Sequence, residues 1–536
     1  MFMTLAMLML VVGQTSLADP VTFLSERYTS KAYDETSPRY HGNLPLQFTL
    51  FPPPPVGNNP RFFSADPHRI DNDPRTDTVE ACVGDFSPDP NKQHQVYDAT
   101  NEHTIYGGKR SVNVQRPLVE LGIPFYGRGE IPVSQTWLGE TNLVQQKYYL
   151  FGDYRAAFAQ SNNIGAGEGD ETTEWATRLN LELDWWFTAT ERIHAFIGPF
   201  QDGGDFLRFE DGEFFGEFNL FNADVDTFFF EGDLGQLAGG FDGSYAPFDI
   251  PVAGGLVPLL FQNGIWVLDA FHGAALTLPS RNNPWFDWSN YDITFFTGLD
   301  QVTSAAFDNA LHSAQFFAAT TFIEARKAYV EVGYGYVVDR GDFDFDRSYH
   351  NIGISYTRRY FGGVSNAIRV IVNAGQDAPK SERTADGILL LVENAFVSRK
   401  PYHRIPYINF FAGFGTPQPL ARGAGPLFNT GISFQGDALT NFPTLDFTGF
   451  DTAGFSAGIE LLGYPRFDSQ LILETTILHS HGDEAVTGVI GDQYAIAARW
   501  QKPIDHRTLF RADAIGAITE NSDDVAGVRA EYRWKF

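Results

Sequence analysis

The clearest pattern in the chain is a strict alternation of apolar and charged residues over its last nine positions. The apolar positions are Val528, Ala530, Tyr532, Trp534 and Phe536, and the charged positions between them are Arg529, Glu531, Arg533 and Lys535. Successive side chains of a β-strand point to opposite faces, so this segment has one wholly apolar and one wholly charged face. Such a strand fits either a soluble sandwich or a barrel that crosses a membrane.

The same period of two recurs at residues 178–187, 328–336 and 493–500. Each segment has room for the roughly ten residues that a tilted membrane strand needs. The more polar face of each carries groups that a dry core would not accept unpaired. The aromatic end of the chain also resembles the recognition signal of the outer-membrane barrel assembly machinery, formed here by Tyr532, Trp534 and Phe536. We therefore predict an all-β fold, a transmembrane antiparallel β-barrel.

The connections between strands provide a second criterion, because such barrels alternate short periplasmic turns with longer external loops. Reading back from the end gives about 18 strands (16–18) beginning near Gln145, an even number that places both barrel ends in the periplasm. The scheme requires a long turn at 278–289 and strand-like structure at 428–434. The short turns are predicted near 188–191, 222–225, 325–327, 361–365, 398–403, 462–466 and 502–506.

Two of the longer connections, 235–263 and 415–452, are rich in Gly and aromatic residues. We expect them to fold into the lumen or to contact sugar rings, because loops on a rigid scaffold commonly carry the binding function.

The N-terminal part has a different composition. Residues 1–18 form an apolar run that ends in small residues and are predicted to be a cleaved signal peptide. Residues 19–144 are interpreted as a periplasmic tether or plug that is partly disordered, because residues 51–77 are rich in Pro and Asp. A strand-like piece at 111–125 fits an extra strand, a lumen plug or a small periplasmic element. The barrel is assigned to residues 145–536.

Composition narrows the class further. Beyond residue 18 no apolar stretch reaches the roughly 18 to 20 residues of a transmembrane helix. The 52 Gly, 49 Phe and 22 Tyr favour strands, turns and aromatic girdles. A net charge of −28 argues strongly against a nucleic-acid partner and fits acidic external loops bridged to lipopolysaccharide by divalent cations. Cys82 is the single cysteine, so an intramolecular disulfide is excluded.

One motif has the form of a hydrolase signature. Residues 454–458, GFSAG, match G-x-S-x-G, which activates serine only on a strained turn between a strand and a helix. The following residues continue a strand, so Ser456 is predicted to be a lumen-facing serine, and no catalytic residue is predicted.

Two polar clusters have spacings that suit metals. Residues 479–483, HSHGD, have an H-x-H-x-D spacing without a further nearby ligand, and we predict an external loop without metal. A second, acidic loop is predicted to be solvated, with binding of a divalent cation such as Ca2+ as the alternative. The candidate ligands in that loop are Asp342, Asp344 and Asp346. No other cofactor is predicted.

Charged side chains of both signs point into the lumen if the apolar faces point to lipid. We predict that they line the solute pathway, and a salt-bridged belt that stiffens the wall is the alternative for any single residue. A barrel of about 16 or more strands cannot fill its interior with wall side chains alone, which favours solute passage for the set. The residues are Arg155, Arg178, Glu182, Asp184, Glu331, Arg369, Glu474, Arg499, Arg511, Asp513, Arg529, Glu531 and Arg533.

Residues 175–196, WATRLNLELDWWFTATERIHAF, resemble the alginate-export family of outer-membrane porins. A strand with R-x-x-L-x-L alternation is followed by a Thr-rich turn and an arginine before the return strand. The matching residues are Arg178, Leu181, Thr188, Thr190 and Arg192. The resemblance implies a barrel of about 18 strands that exports anionic polysaccharide through a constriction lined by Arg and Lys.

These observations predict a porin in the outer membrane of a Gram-negative-type bacterium, with its N-terminal segment in the periplasm. We expect it to pass small hydrophilic solutes or oligosaccharides by diffusion or export, without performing chemistry. Its expected partners are outer-membrane lipid, lipopolysaccharide, the barrel assembly machinery and the polar cargo. An outer-membrane enzyme of the lipase or protease type and a structural barrel that scaffolds a periplasmic partner are the alternatives.

Overall fold

The structure is a computed structural model of the chain. It describes residues 116–123, 125, 134–162, 171–199, 207–211, 213–215, 223–341, 345–397, 404–437, 439–463, 469–482, 491–521 and 523–536. The predicted signal peptide and most of the predicted tether lie outside these residues, so both stay predictions. Among the described residues, no helix has the length and apolar character needed to cross a membrane.

The described residues form 21 strands and one α-helix. The strands are β1 (Val119–Leu121), β2 (Lys147–Asn162), β3 (Glu171–Trp186), β4 (Arg192–Pro199), β5 (Leu207–Glu210), β6 (Glu213–Phe215), β7 (Ala223–Asp233), β8 (Pro251–Phe261), β9 (Val267–Asn283), β10 (Trp288–Asp300), β11 (Ala314–Ala325), β12 (Ala328–Asp339), β13 (Tyr349–Tyr360), β14 (Val364–Ala374), β15 (Gly387–Phe396), β16 (Arg404–Gly415), β17 (Thr452–Leu462), β18 (Gln470–Ser480), β19 (Gln493–Pro503), β20 (Thr508–Thr519) and β21 (Val525–Lys535). The helix is α1 (Leu234–Asp242), and short 3-10 turns lie at Gln262–Gly264, Ala305–Phe307, Lys380–Glu382 and Ile432–Phe434.

All strands except β1, β5 and β6 form a closed antiparallel ring of 18 strands. β4 pairs directly with β7, and the ring closes where β21 pairs with residues 153–161 of β2. Closure pairs each strand of the wall with two neighbours, although β7 and β8 pair only from Asp233–Pro251 to Phe228–Leu256. β5 and β6 form a small hairpin beside β3, and β1 pairs with β2 beyond the end of β21. The predicted fold class and the predicted number of strands are confirmed.

The wall has an apolar outer face and a polar inner face, as the alternation predicts. In β21, Tyr532 and Trp534 are 42% and 41% exposed, whereas Arg533 between them is 2% exposed. Other large apolar side chains exposed on the outer face include Phe158, Trp175, Leu183, Phe295, Phe317, Tyr334, Ile352, Leu390, Phe410, Ile496, Ile518 and Val528. This outward apolar band is the arrangement that lipid requires of a closed barrel.

Phe536 completes the closure of the ring. Its backbone N–H donates to the carbonyl of Gly152 at 3.0 Å, and its carbonyl accepts from the N–H of Gly152 at 2.9 Å. Its ring lies 5.1 Å from that of Trp534, and a Cβ at position 152 would lie 3.2 Å from it. The terminal aromatic side chain therefore packs where β2 has no side chain, while its role as an assembly signal stays a prediction.

We call the rim that holds Phe536 the terminal rim and the opposite rim the loop rim. Four of the seven predicted short turns, 188–191, 325–327, 361–365 and 502–506, lie between consecutive strands at the terminal rim. The turn predicted at 398–403 and most of the one at 462–466 lie outside the described residues, and the turn between β9 and β10 spans only 284–287 instead of the predicted 278–289. The loop predicted at 415–452 matches the connection between β16 and β17. The strand-like structure expected at 428–434 is wrong, because a 3-10 turn lies there.

The predictions for two connections before β9 are also wrong. The predicted short turn at 222–225 is the end of a long connection at the loop rim, where β7 begins. The predicted loop at 235–263 contains α1 at the terminal rim and then the whole of β8. β8 is apolar on both of its faces, so alternation does not mark it. The sequence prediction thus counted one strand too many before β7 and missed β8 after it, so the two errors cancel in the predicted number of strands.

The carboxylate of Glu191 holds the terminal rim together near the start of the barrel. It accepts hydrogen bonds from Asn142 Nδ2 at 2.9 Å and from the backbone N–H of Asp233 at 3.2 Å. Burial acts to raise the pKa of Glu191, but these bonds and those from Thr188 and Thr190 outweigh it and lower the pKa below its ordinary value. The segment before β2 and the N-cap of α1 are therefore tied to the β3–β4 turn.

Candidate functional site

All thirteen predicted pathway residues lie on the inner face of the wall. Eleven of them are at most 8% exposed, and Glu182 and Glu331 are half-buried. The ion pairs and hydrogen bonds that they form inside the barrel are described below. Their part in solute passage stays a prediction.

Eight inner charged residues on four neighbouring strands form one network, which we call the charged ladder. Its members are Asp153 and Arg155 on β2, Arg499 on β19, Arg511 and Asp513 on β20, and Arg529, Glu531 and Arg533 on β21. Asp513 lies 2.6 Å from Arg499, 2.7 Å from Arg511 and 3.2 Å from Arg529. The ladder contains five arginines and three carboxylates, so it has an excess of positive charge.

Residues 416–451, which we call the lumen loop, enter the barrel and offset that charge. Asp437 lies 2.6 Å from Arg529 Nη2, and Arg529 Nε also donates to Thr440 Oγ1 at 3.1 Å. Arg499 donates to the side chain of Gln435. The loop thus supplies the fourth carboxylate of the network, and the ladder holds the loop inside the lumen.

Glu474 on β18 is a second anchor for the lumen loop. Its carboxylate accepts hydrogen bonds from the backbone N–H of Ser433 at 2.8 Å and of Ile432 at 3.2 Å, and from Tyr407 OH at 2.6 Å. A Cβ at Gly431 would lie 2.5 Å from this carboxylate, so the loop approaches as closely as it does because position 431 has no side chain. Glu474 was predicted from its inward position, but the loop it binds could not be read from alternation.

The lumen loop also fills the interior with apolar side chains. Leu427, Phe434 and Leu445 are at most 1% exposed and belong to one cluster with wall residues such as Leu389 and Phe411. At this level the lumen is occupied by a packed core instead of water.

A second segment enters the lumen from the wall itself. β8 pairs with β7 only as far as the Leu256–Phe228 pair, whereas its pairing with β9 continues to Phe261 and Val267. Residues 257–271, which we call the hairpin tip, therefore leave the wall as a paired unit. Most of the tip is buried, including both faces of the first residues of β9.

Trp266 fixes the hairpin tip against the inner face of β12 and β13, three and four strands along the ring from β9. Gly333 on β12 and Gly353 on β13 are cross-strand partners beneath its ring. A Cβ at these positions would lie 2.2 Å and 2.5 Å from ring atoms, so the two glycines form a seat that no other residue could provide. The indole Nε1 donates to Asn351 Oδ1 at 2.6 Å, and the Trp266 carbonyl accepts from Leu420 of the lumen loop at 2.9 Å.

The hairpin tip and the lumen loop together form what we call the plug. Their backbones are joined by the Leu420 bond and by a bond of 2.9 Å from Leu268 N–H to the carbonyl of Ala421. The parts of the plug that the sequence analysis missed are Trp266, Gln435 and Asp437. None of them belongs to an alternating pattern, so no signal in one sequence marks them.

The remaining predicted pathway residues lie outside the ladder and the loop anchors. Arg178 lies 3.8 Å from Asp226, and Arg369 contacts Glu393. Asp184 lies 2.8 Å from His194 Nδ1. Glu331 accepts a hydrogen bond from the backbone N–H of Gln262 at 3.1 Å, and Glu182 is half-buried on β3.

The G-x-S-x-G motif lies within β17, so it has no strand-to-helix turn. Ser456 is 2% exposed and stands between its cross-strand partners Asn409 and Thr476 on the inner face. The predicted inward-facing serine in a continuing strand is confirmed.

The two polar clusters whose spacings suit metals lie partly outside the described residues, which exclude Asp342, Asp344 and Asp483. His479 Nδ1 lies 2.9 Å from Asp492, and His481 Nε2 lies 3.0 Å from a backbone carbonyl. Within the described residues, no group of three His, Cys, Asp or Glu side chains suits a metal ion. The solvated acidic loop that includes Asp346 stays a prediction, with a divalent cation as the alternative.

No family model and no curated protein matches the chain. Among solved structures, it is similar to OccK11 (OpdR) of Pseudomonas aeruginosa, with 10% identity, a TM-score of 0.46 and coverage of 73% of this chain and 96% of that one. OccK5 (OpdH) of the same organism is 11% identical, with a TM-score of 0.47 and coverage of 73% of this chain and 98% of that one. Wzi of Escherichia coli is 13% identical, with a TM-score of 0.42 and coverage of 72% of this chain and 85% of that one. Wzi is described as an outer-membrane protein involved in group 1 capsule assembly and as a carbohydrate-binding β-barrel. None of these comparisons concerns alginate export, which stays a resemblance of sequence.

Proposed function

We propose that the protein is an outer-membrane channel for polar solutes whose lumen is closed in this structure. The observation that supports this proposal is the nature of the closure. The inner wall of the 18-stranded ring is polar and charged, and the lumen is filled by two inserted segments that form the plug. A barrel of this size encloses more space than its wall side chains can fill, so displacement of the plug opens a water-filled passage.

The outer face of the ring supports a membrane location. Exposed apolar side chains surround the wall, and the closed ring pairs the backbones of neighbouring strands along most of their length. Among barrels in membranes this architecture is typical of the bacterial outer membrane, with short turns on the periplasmic side. We therefore place the terminal rim, and with it the N-terminal segment, in the periplasm.

The cargo that fits best is a small hydrophilic solute or an oligosaccharide. The ladder arginines are matched by carboxylates of the wall and of the lumen loop, so their charge is largely compensated within the protein. This balance favours neutral polar cargo over the anionic polysaccharide that the alginate-export resemblance implies.

Planar-bilayer recording of the purified protein tests the proposal. We expect discrete ion-conducting steps separated by long closed intervals, because the plug blocks the lumen for most of the time. A folded barrel that never conducts, either as the natural chain or with its lumen loop shortened, would contradict a channel function.

Single cysteines test the orientation in a Cys82→Ser background. Ala310→Cys lies in an exposed turn at the loop rim, and Trp285→Cys lies in a turn at the terminal rim where the tryptophan is 94% exposed. In intact cells a membrane-impermeant maleimide should label position 310, while position 285 should require permeabilisation. Labelling in the opposite order would invert the proposed orientation.

A further inference from the structure

The inner wall becomes more accessible between the plug and the terminal rim. Along β13 the inner residues change from Ser355, which is 1% exposed, to half-buried Thr357 and exposed Arg359. Along β11 they change from Thr320, which is 6% exposed, to half-buried Phe322. Within the described part of the chain, the lumen beside β10–β13 therefore widens into a vestibule on the terminal-rim side of the plug.

Two aromatic side chains face this vestibule. Phe322 on β11 is the cross-strand partner of the inner residue Glu331, and Tyr329 lies two residues before Glu331 on β12. The two rings stack with their centroids 5.5 Å apart and an interplanar angle of 26°. Both side chains are half-buried, and lipid does not explain them because they lie on the inner face. Accessible aromatic surface inside a polar lumen suits the C–H face of a sugar ring.

Carboxylates flank the aromatic pair. Asp292 on β10 is the cross-strand partner of Phe322, and Glu324 on β11 is the cross-strand partner of Tyr329. Cross-strand partners have Cβ atoms about 4.5–5.5 Å apart, so each carboxylate lies beside a ring. Unlike the carboxylates of the ladder, neither forms an ion pair with another described residue. Their oxygens are therefore suited to accept hydrogen bonds from hydroxyl groups.

The charges around the vestibule favour a neutral ligand. Arg359 lies on the same inner face, and Arg369 lies in the row of cross-strand partners that runs from Glu331 through Ser355. A cationic ligand would meet these guanidinium groups, and an anionic ligand would meet Asp292 and Glu324. The hydroxyls of a neutral sugar can accept from the former and donate to the latter.

We propose that Phe322 and Tyr329, together with Asp292 and Glu324, form a binding subsite for a neutral sugar ring, an inference that rests on the proposed channel function and deepens it. The accessible surface of the aromatic pair packs against the C–H groups of the sugar, and the two carboxylates accept hydrogen bonds from its hydroxyls. Because Glu331 lies only two residues from Gly333 of the Trp266 seat, the subsite holds cargo on the terminal-rim side of the plug.

Calorimetric titration of the purified, folded barrel with neutral hexose oligosaccharides tests the subsite. The probes are maltohexaose, cellohexaose and mannohexaose, and the detergent is an amine oxide, because glucoside and maltoside detergents carry competing sugars. We expect one of the probes to bind, and Phe322→Ala and Tyr329→Ala each to weaken its binding by about tenfold. Glu324→Gln, which preserves the shape of the side chain, should also weaken it.

Two further variants serve as controls. Tyr329→Phe keeps the ring and should retain the natural affinity. Phe317→Ala removes a ring that is 55% exposed on the outer face of β11, and it should leave sugar binding unchanged. Folding of every variant is checked on gels by heat-modifiability, independently of binding.

The outcomes separate this inference from the proposed function. A folded barrel that binds none of the three sugars, or binds them equally well in all the folded variants, overturns the subsite. Preference for spermidine or for an oligouronate over the neutral sugars overturns it too. Because titration does not require conductance, sugar binding by a barrel that never conducts would support the subsite and contradict the channel. A conducting barrel without sugar binding would do the reverse.

Discussion

Shortening the lumen loop should raise the single-channel conductance several-fold and make the open state permanent. The backbone N–H of Leu427 donates to the carbonyl of Phe447 at 3.0 Å, so residues 428–446 form an excursion whose two ends already meet. Replacing them with a short Gly- and Ser-rich link removes Phe434, Asp437 and the backbone groups bound by Glu474. The apolar core of the lumen loses its centre, and water can enter.

The measurement is single-channel recording, together with swelling of liposomes in neutral sugars of increasing size. A Gly- and Ser-rich replacement of Lys380–Glu382, exposed residues of the connection between β14 and β15 at the loop rim, is the matched control and should behave as the natural chain. Unchanged conductance in a folded loop-shortened barrel would show that the lumen loop is not the barrier to solutes.

The wall was predictable because its physical cause is periodic. Side chains of a membrane strand face lipid and lumen in turn, so Tyr532 and Arg533 reveal their faces by position alone. The same rule identified the arginines of the ladder and Glu474 before any contact was known. Closure into 18 strands followed from counting such segments, although one of them was counted in the wrong place.

Composition led us to expect residues 415–452 in the lumen, but the contacts of the plug were not predictable, because its residues have no such period. The hairpin tip is buried on both faces at Val267 and Leu268, so it lacks the polar face by which its strands could be recognised. Gly333 and Gly353 were readable as small residues on an inner face, but what they accommodate, Trp266, is distant in sequence. Asp437 belongs to a loop, and only the fold brings it to the ladder.

Replacing Arg529 should destabilise the barrel by about 3–5 kcal/mol, because it leaves buried carboxylates without their counter-charge. The side chain is 0% exposed and contacts Asp437, Asp513 and Glu531. Arg529→Met keeps most of the apolar volume and removes only the charge and its hydrogen bonds. Because Asp437 would lose its partner, we also expect the lumen loop to loosen and the closed intervals of the channel to shorten.

Unfolding in urea, followed by tryptophan fluorescence in lipid vesicles, measures the loss of stability. Arg511→Met is the matched control, because Arg511 has a 10% exposed side chain and its one carboxylate contact, with Asp513, is shared with two other arginines. We expect a clearly smaller effect from it. Adding Asp437→Asn to Arg529→Met should recover part of the lost stability, since one of the unpaired charges is then removed. Equal losses for both arginines, with no recovery in the double variant, would show that the ladder does not hold the lumen loop in place.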